Sequence, residues 1–121
     1  MRSMAFLAVL LGIVAACNNV TGGGDRACTL EARAGINVTV VDDATGAGIG
    51  NPSGTAREGA FVEQLQGFNG QLAGAFEREG TYDVWVTAPG YQTWLRENVT
   101  VAADECHVIP VRLTARLVRA S

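Results

Sequence analysis

The chain contains no lysine, one histidine and only 17% charged residues. Its nine cations are all arginine, scattered from Arg2 to Arg119, and 12 carboxylates outnumber them. No basic patch forms, so nucleic acid is not an expected partner: phosphate binding needs clustered cations. A single histidine gives no ligand spacing of the H-x-x-x-H kind, and the glycines contain no phosphate-cradling P-loop. No stretch after residue 27 carries the 3.6-residue periodicity of an amphipathic helix. No apolar run approaches the roughly 20 residues that a membrane-spanning helix needs.

The one long apolar run, Met4–Val14, has 11 residues, follows Arg2 and has no polar face. Those are the proportions of a secretory h-region. Val14-Ala15-Ala16-Cys17 comes next and resembles the bacterial lipobox: an aliphatic residue, two small residues, then cysteine. Small side chains let the chain enter a narrow protease site in extended form. The Cys17 thiol is the nucleophilic atom that can carry a thioether-linked diacylglycerol. Ordinary signal cleavage after Ala16 is the alternative. The expected division is a lipoprotein signal peptide over 1–16, a lipidated tether over 17–27 and a folded domain over 28–121. Two or more acyl chains hold a protein stably on a bilayer, where one does not. Asn18, at the place where Asp signals inner-membrane retention in Gram-negative lipoproteins, is compatible with an outer-membrane address. Gly22-Gly23-Gly24 makes the tether flexible, spanning about 17 Å as a random coil between Cys17 and Ala27.

Three cysteines are an odd count for an exported chain. With Cys17 given to lipid, Cys28 and Cys106 remain as a pair in an oxidising compartment. Their bridge would close a loop spanning most of the domain, worth about 4–5 kcal/mol in the chain-entropy account.

Beyond residue 27 the recurring signal is period-two alternation. Ile36, Val38 and Val40 share a face; so do Tyr82, Val84, Val86 and Ala88; so do Val99 and Val101. His107, Ile109, Val111 and Leu113 are expected to share one in a last long strand opened by Cys106. Between residues 53 and 77 the pattern is looser, with Thr55–Arg57, Phe61–Leu65 and Gln71–Glu77 as candidate strands. Asp42-Asp43-Ala44-Thr45-Gly46 and Pro89-Gly90 are turn formers. Short strands with frequent turns point to an all-β sandwich.

Val38-Thr39-Val40-Val41-Asp42-Asp43-Ala44-Thr45-Gly46 resembles the first strand and turn of carboxypeptidase regulatory-like domains. The stretch from Glu79 through Gly80, Tyr82, Val84, Val86, Ala88 and Gly90 to Tyr91 resembles their G-x-Y-x-V-x-V-x-A-x-G-Y strand and turn. Val99-Thr100-Val101 and Val111-Arg112-Leu113 fit the strands that follow. The resemblance covers residues 34–115 and departs in the Gly- and Gln-containing middle. It implies a seven-stranded, transthyretin-like (prealbumin-like) Greek-key sandwich that acts as an interaction or stabilising module. Tyr82 is expected to bury its ring and find a hydroxyl partner.

Candidate chemistry is sparse. His107 sits beside Asp104, Glu105 and Cys106, but reads as a strand residue rather than a ligand or base. Asp42, Asp43 and Asn51 read as turn residues rather than a calcium loop. Glu77 and Glu79 read as solvated carboxylates rather than a glycosidase pair. Asn-x-Thr sequons at Asn19, Asn37 and Asn98 are coincidental beside a bacterial lipobox. Trp85, Trp94 and Tyr91 are the candidate binding residues, either for a protein or for stacking on a glycan. The expectation is therefore a non-enzymatic, lipid-anchored module of the bacterial cell envelope, without metal or cofactor, whose partners are the membrane and an envelope protein or glycan. A carbohydrate-binding module is the alternative. A transthyretin-like hydrolase is a third reading, disfavoured because such enzymes rely on several histidines.

Intact mass of membrane-extracted protein is the direct check. It is expected to show a chain beginning at Cys17, labelled by palmitate, with the remaining two thiols oxidised. Cys17→Ser should abolish the label and release the chain from the membrane fraction. An unlabelled chain beginning at Cys17 would instead mean ordinary cleavage after Ala16.

Overall fold

Period-two alternation becomes eight strands, with no helix among the described residues. The computed structural model describes residues 28–121; the segment 1–27, with the expected signal peptide, Cys17 and the tether, lies outside the described residues. The strands are β1 (Ala34–Asp42), β2 (Ser53–Glu58), β3 (Phe61–Gln64), β4 (Gln66–Phe68), β5 (Gln71–Phe76), β6 (Gly80–Thr87), β7 (Trp94–Val101) and β8 (Val111–Leu117). They form two four-stranded sheets, ordered β4-β5-β1-β8 and β3-β2-β6-β7. All pairings are antiparallel except β1 with β8, which run parallel from Ile36↔Val111 to Asp42↔Leu117.

The alternating residues make one core between the sheets. Ile36, Val38 and Val40 of β1, Tyr82, Val84 and Val86 of β6, and Val99 and Val101 of β7 are all buried there. Leu72, Ala75, Ala115 and Leu117 complete it from β5 and β8. Burial of such side chains is the main favourable term in folding, at about 1.5–3 kcal/mol for each large one.

Two expectations need correction. The strand count is eight rather than seven because Gln66–Phe68, beyond the expected Phe61–Leu65 strand, form a strand of their own. Leu65 keeps a ladder bond to sheet two, its N–H donating to the Gly54 carbonyl at 2.8 Å. The next residues, Gln66–Phe68, then pair with β5 in the other sheet. The last strand begins at Val111, so Cys106 and His107 lie in the preceding loop and Ile109 is half exposed. The loop is closed by Asp104, whose Oδ1 accepts the N–H groups of Cys106 and His107 at 2.8 and 2.9 Å. This aspartate turn competes successfully with strand formation, and Pro110 has no N–H to offer a ladder.

Leu65 is buried because the two sheets leave room for it. A Cβ on Gly74 would collide with one Leu65 methyl, and a Cβ on Gly54 would meet the other at 2.9 Å. These glycines are needed for space, not for backbone angle.

Strand directions define two ends. One end carries residues 43–52, the Asn69-Gly70 turn, residues 88–93 and the C-terminal residues. The opposite end carries residues 28–33, the β5–β6 turn and the loop 102–110. There Cys28 and Cys106 are at disulfide-bonding distance, with Cα atoms 5.2 Å apart at a sequence separation of 78. The bridge fastens the start of the domain to the loop before its last strand.

Gly74→Ala is expected to destabilise the domain by about 1–3 kcal/mol through overpacking against Leu65. Gly48→Ala, where a Cβ meets nothing within 4 Å, should change stability by no more than about 0.5 kcal/mol. Urea unfolding at neutral pH separates the two.

Candidate functional site

The Asp42 carboxylate ends β1 and is almost fully buried, its residue 2% exposed. Oδ1 accepts the N–H groups of Ala44 and Thr45 at 2.8 and 3.0 Å, closing the turn that the Asp-Asp-Ala-Thr-Gly run favours. Oδ2 accepts the Tyr91 hydroxyl at 2.7 Å and faces Arg119 Nε at 3.0 Å. Tyr91 reaches Asp42 because Gly90, at φ 83°, reverses the chain after Pro89. The Tyr91 N–H donates to the Ala88 carbonyl at 3.1 Å across that turn. Arg119 stands over the Tyr91 ring, 5.4 Å from its centroid. The Tyr91 hydroxyl, followed by the Thr45 amide, holds the Asp42 carboxyl down at a pKa of about 2. The same bond pushes the Tyr91 phenol up. Beside this knot lies a cavity of about 400 Å³ that Thr45, Asn51 and Pro89 also line.

A second polar chain crosses the opposite end. Glu77 Oε2 accepts the Arg33 N–H at 2.8 Å and stands 2.6 Å from His107 Nδ1, while Oε1 accepts the Val108 N–H at 3.2 Å. His107 Nε2 is 2.8 Å from the Thr29 hydroxyl. The Arg33 amide is the chief cause of a Glu77 carboxyl held below the usual range, with His107 adding to it. Asp104 is lowered likewise, first by the His107 N–H. Hydroxyl, imidazole and carboxylate in line are the parts of a nucleophilic relay. Here the imidazole is 7% exposed and each group binds a different chain segment. The chain therefore fastens residues 28–33 to β5 and the 102–110 loop, next to the Cys28–Cys106 bridge.

The aromatic candidates separate. Tyr91 is engaged with Asp42. Trp94 is half-buried and packs on the core, with the Arg96 guanidinium 5.1 Å from its ring centroid. Trp85 lies on the outer face of β6, between Thr55 of β2 and Leu95 of β7, with Arg57 at 4.9 Å from its ring centroid. Neither indole is a bare platform. Tyr82 is buried and its hydroxyl donates to the Arg78 carbonyl at 2.8 Å, the partner its motif position calls for. Gly80, at φ 156°, leaves room there for Glu58, which accepts the Thr81 N–H at 2.8 Å.

No group of three or more His, Cys, Asp or Glu side chains among the described residues is placed to hold a metal ion. Asp42 is committed to protein donors, and Glu77 sits with His107 rather than with Glu79. The Asp42–Tyr91–Arg119 and Thr29–His107–Glu77 groupings were not foreseen from sequence. The Asp42 turn and Pro89-Gly90-Tyr91 were each visible, but nothing indicated that they meet. No family model matches this chain, and no curated protein matches it.

Tyr91→Phe tests the Asp42 knot. Asp42 has a folded pKa of about 2 against an ordinary 3.8. Its stabilising contribution is therefore complete above the ordinary value and is lost as pH falls through about 2. Thermal melts across acid pH should show the variant several degrees less stable at neutral pH, with the gap closing near pH 2. A gap independent of pH would detach the hydroxyl from the carboxylate.

Proposed function

We propose that this chain is a lipid-anchored module of the bacterial cell envelope that works by binding another chain rather than by catalysis. In this reading its body follows the transthyretin-like Greek-key plan of carboxypeptidase regulatory-like domains. The meeting of the two motif stretches at Asp42 and Tyr91 supports that plan, as does the buried Tyr82–Val84–Val86 row. Lipid on Cys17 would deliver the domain to a membrane surface, and the outer membrane is the address that Asn18 allows.

The observation that carries the binding reading is a cross-strand row whose last two members, Trp85 and Leu95, are apolar and run to the sheet's edge. Gln64, Thr55, Trp85 and Leu95 lie side by side across sheet two in cross-strand register. The row ends on β7, the last strand of its sheet, where Leu95 is 46% exposed. The lower half of β7 is blunted by a bulge opposite Tyr82–Val84, with Asn98 at φ 58°. Bulges of this kind discourage edge pairing. The upper half, Trp94–Arg96, stays regular. A partner strand added there would gain backbone hydrogen bonds from β7 and side-chain contact with Leu95 and Trp85.

Capture of envelope proteins by the purified full chain tests this. Trp85→Ala and Leu95→Asp should each weaken capture of the same partner by about tenfold or more, as hot-spot losses do. Arg112→Ala on β8 should leave it unchanged. Capture that survives both β7-side changes would dismiss this edge as the interface.

A further inference from the structure

The β4–β5 hairpin carries the most exposed aromatic ring among the described residues. Phe68 is 77% exposed, and no part of the core claims it. The hairpin turns on Asn69 and Gly70, at φ 52° and 77°, the paired positive angles of a type I′ turn. This tight turn sets Phe68 directly opposite Gln71. Cross-strand partners of an antiparallel pair share a face, so the ring and the carboxamide stand side by side. Across from them the β1–β2 connection brings up Asn51 and Pro52, with Asn51 held at φ 56°. Asn51, Pro52, Phe68, Asn69 and Gln71 line a depression of about 280 Å³.

The chemistry of this lining is specific. None of its residues is charged. Three of them are carboxamides, and among the described residues the side chains of Asn51, Asn69 and Gln71 bond to nothing. Each offers two N–H donors and a carbonyl acceptor. The polar side chains of the Asp42 and Glu77 clusters, by contrast, are spent on the protein itself. A neutral, amide-rim depression with an exposed ring suits a ligand with adjacent hydroxyls and an apolar face. It offers no ion pair to a phosphate or carboxylate. Its volume lies just under the roughly 300–1,000 Å³ of drug-sized sites, which suits one sugar ring better than a peptide segment.

We propose that this depression is a binding site for a neutral saccharide, with Phe68 stacking on a ring face and Asn51, Asn69 and Gln71 engaging hydroxyls. The site is separate from the tryptophans, which belong to β6 and β7 of the other sheet. It also lies at the end of the domain opposite Cys28, where the chain continues toward Cys17.

The test uses the full chain in a detergent without a sugar headgroup. Tetrasaccharides of N-acetylglucosamine, glucose in its β1,4 and α1,4 linkages, and mannose are titrated and followed by calorimetry and by amide resonance shifts. At least one should bind at millimolar concentration or below, with shifts centred on Asn51 and residues 67–71. Phe68→Ala and Gln71→Ala should each weaken binding by about tenfold without changing the melting temperature. Trp85→Ala should bind as the parent does. The proposal fails if no tetrasaccharide binds, or if binding survives the Phe68→Ala, Gln71→Ala double variant. Shifts that centre on Trp85 or Trp94 would also overturn it.

Discussion

A negative charge sits almost out of solvent at the end of β1, and one whole end of the molecule is organised around it. An isolated buried carboxylate is costly enough that it either protonates or finds donors. Asp42 finds four: two amides of its own turn, the Tyr91 hydroxyl and the Arg119 guanidinium. Those donors come from three separate segments, so the β1–β2 turn, the β6–β7 turn and the chain after β8 must all be in place together. Arg119 is largely exposed and its attraction is screened. The hydroxyl and the turn amides do more, which is why the tyrosine is the residue that fixes the geometry. Asp42 and Arg119 belong to the first sheet's strands or their extensions, while Tyr91 belongs to the second. The bond is thus also a clasp between layers.

The opposite end repeats this logic with different parts. Glu77 follows β5 at φ 50° and Ala75 stands at 53°, backbone angles that non-glycine residues adopt at some cost. The turn brings the Glu77 carboxylate under the Arg33 and Val108 amides and beside the His107 ring. Asp104 prepares the ring's position by accepting the N–H groups of Cys106 and of His107 itself. The Cys28–Cys106 bridge then closes over the same place. Covalent and polar fastenings coincide there because the incoming chain adds no strand to either sheet. Without them residues 28–33 would have little to hold them.

The sequence displayed the core clearly. Period-two runs such as Ile36–Val40 and Tyr82–Ala88 are physical statements about which side of a sheet is wet, and they need no knowledge of partners. The cysteine pair followed from counting. The middle was harder: Phe61–Leu65 reads as one strand, but nothing local says that Leu65 must turn inward or that Gln66–Phe68 pair in the other sheet. That outcome depends on the space left by Gly54 and Gly74, which are distant in sequence. His107 was misassigned to a strand for a related reason. Alternation in His107–Leu113 is real, but the Asp104 side chain offers the backbone an alternative that periodicity does not register. The two carboxylate clusters were invisible for a third reason. Each joins segments tens of residues apart, and a single sequence carries no mark of such a meeting.

The two surfaces singled out for binding are compatible because of sheet order. Sheet one ends in β4 on one side and β8 on the other; sheet two ends in β3 and β7. β7 and β8 come together on one flank, and the continuous Phe61–Phe68 stretch joins β3 to β4 on the other. Leu95 and Phe68 therefore lie on opposite flanks. A strand added along β7 leaves the β4–β5 hairpin uncovered, and a small ligand beside Phe68 leaves the β7 edge free. What differs between the flanks is the kind of unmet valence. On the β7 side it is a row of backbone groups with an apolar border, the kind of surface the proposed strand addition uses. On the β4 side it is a set of side-chain amides around a ring, which calls for a compact polar molecule.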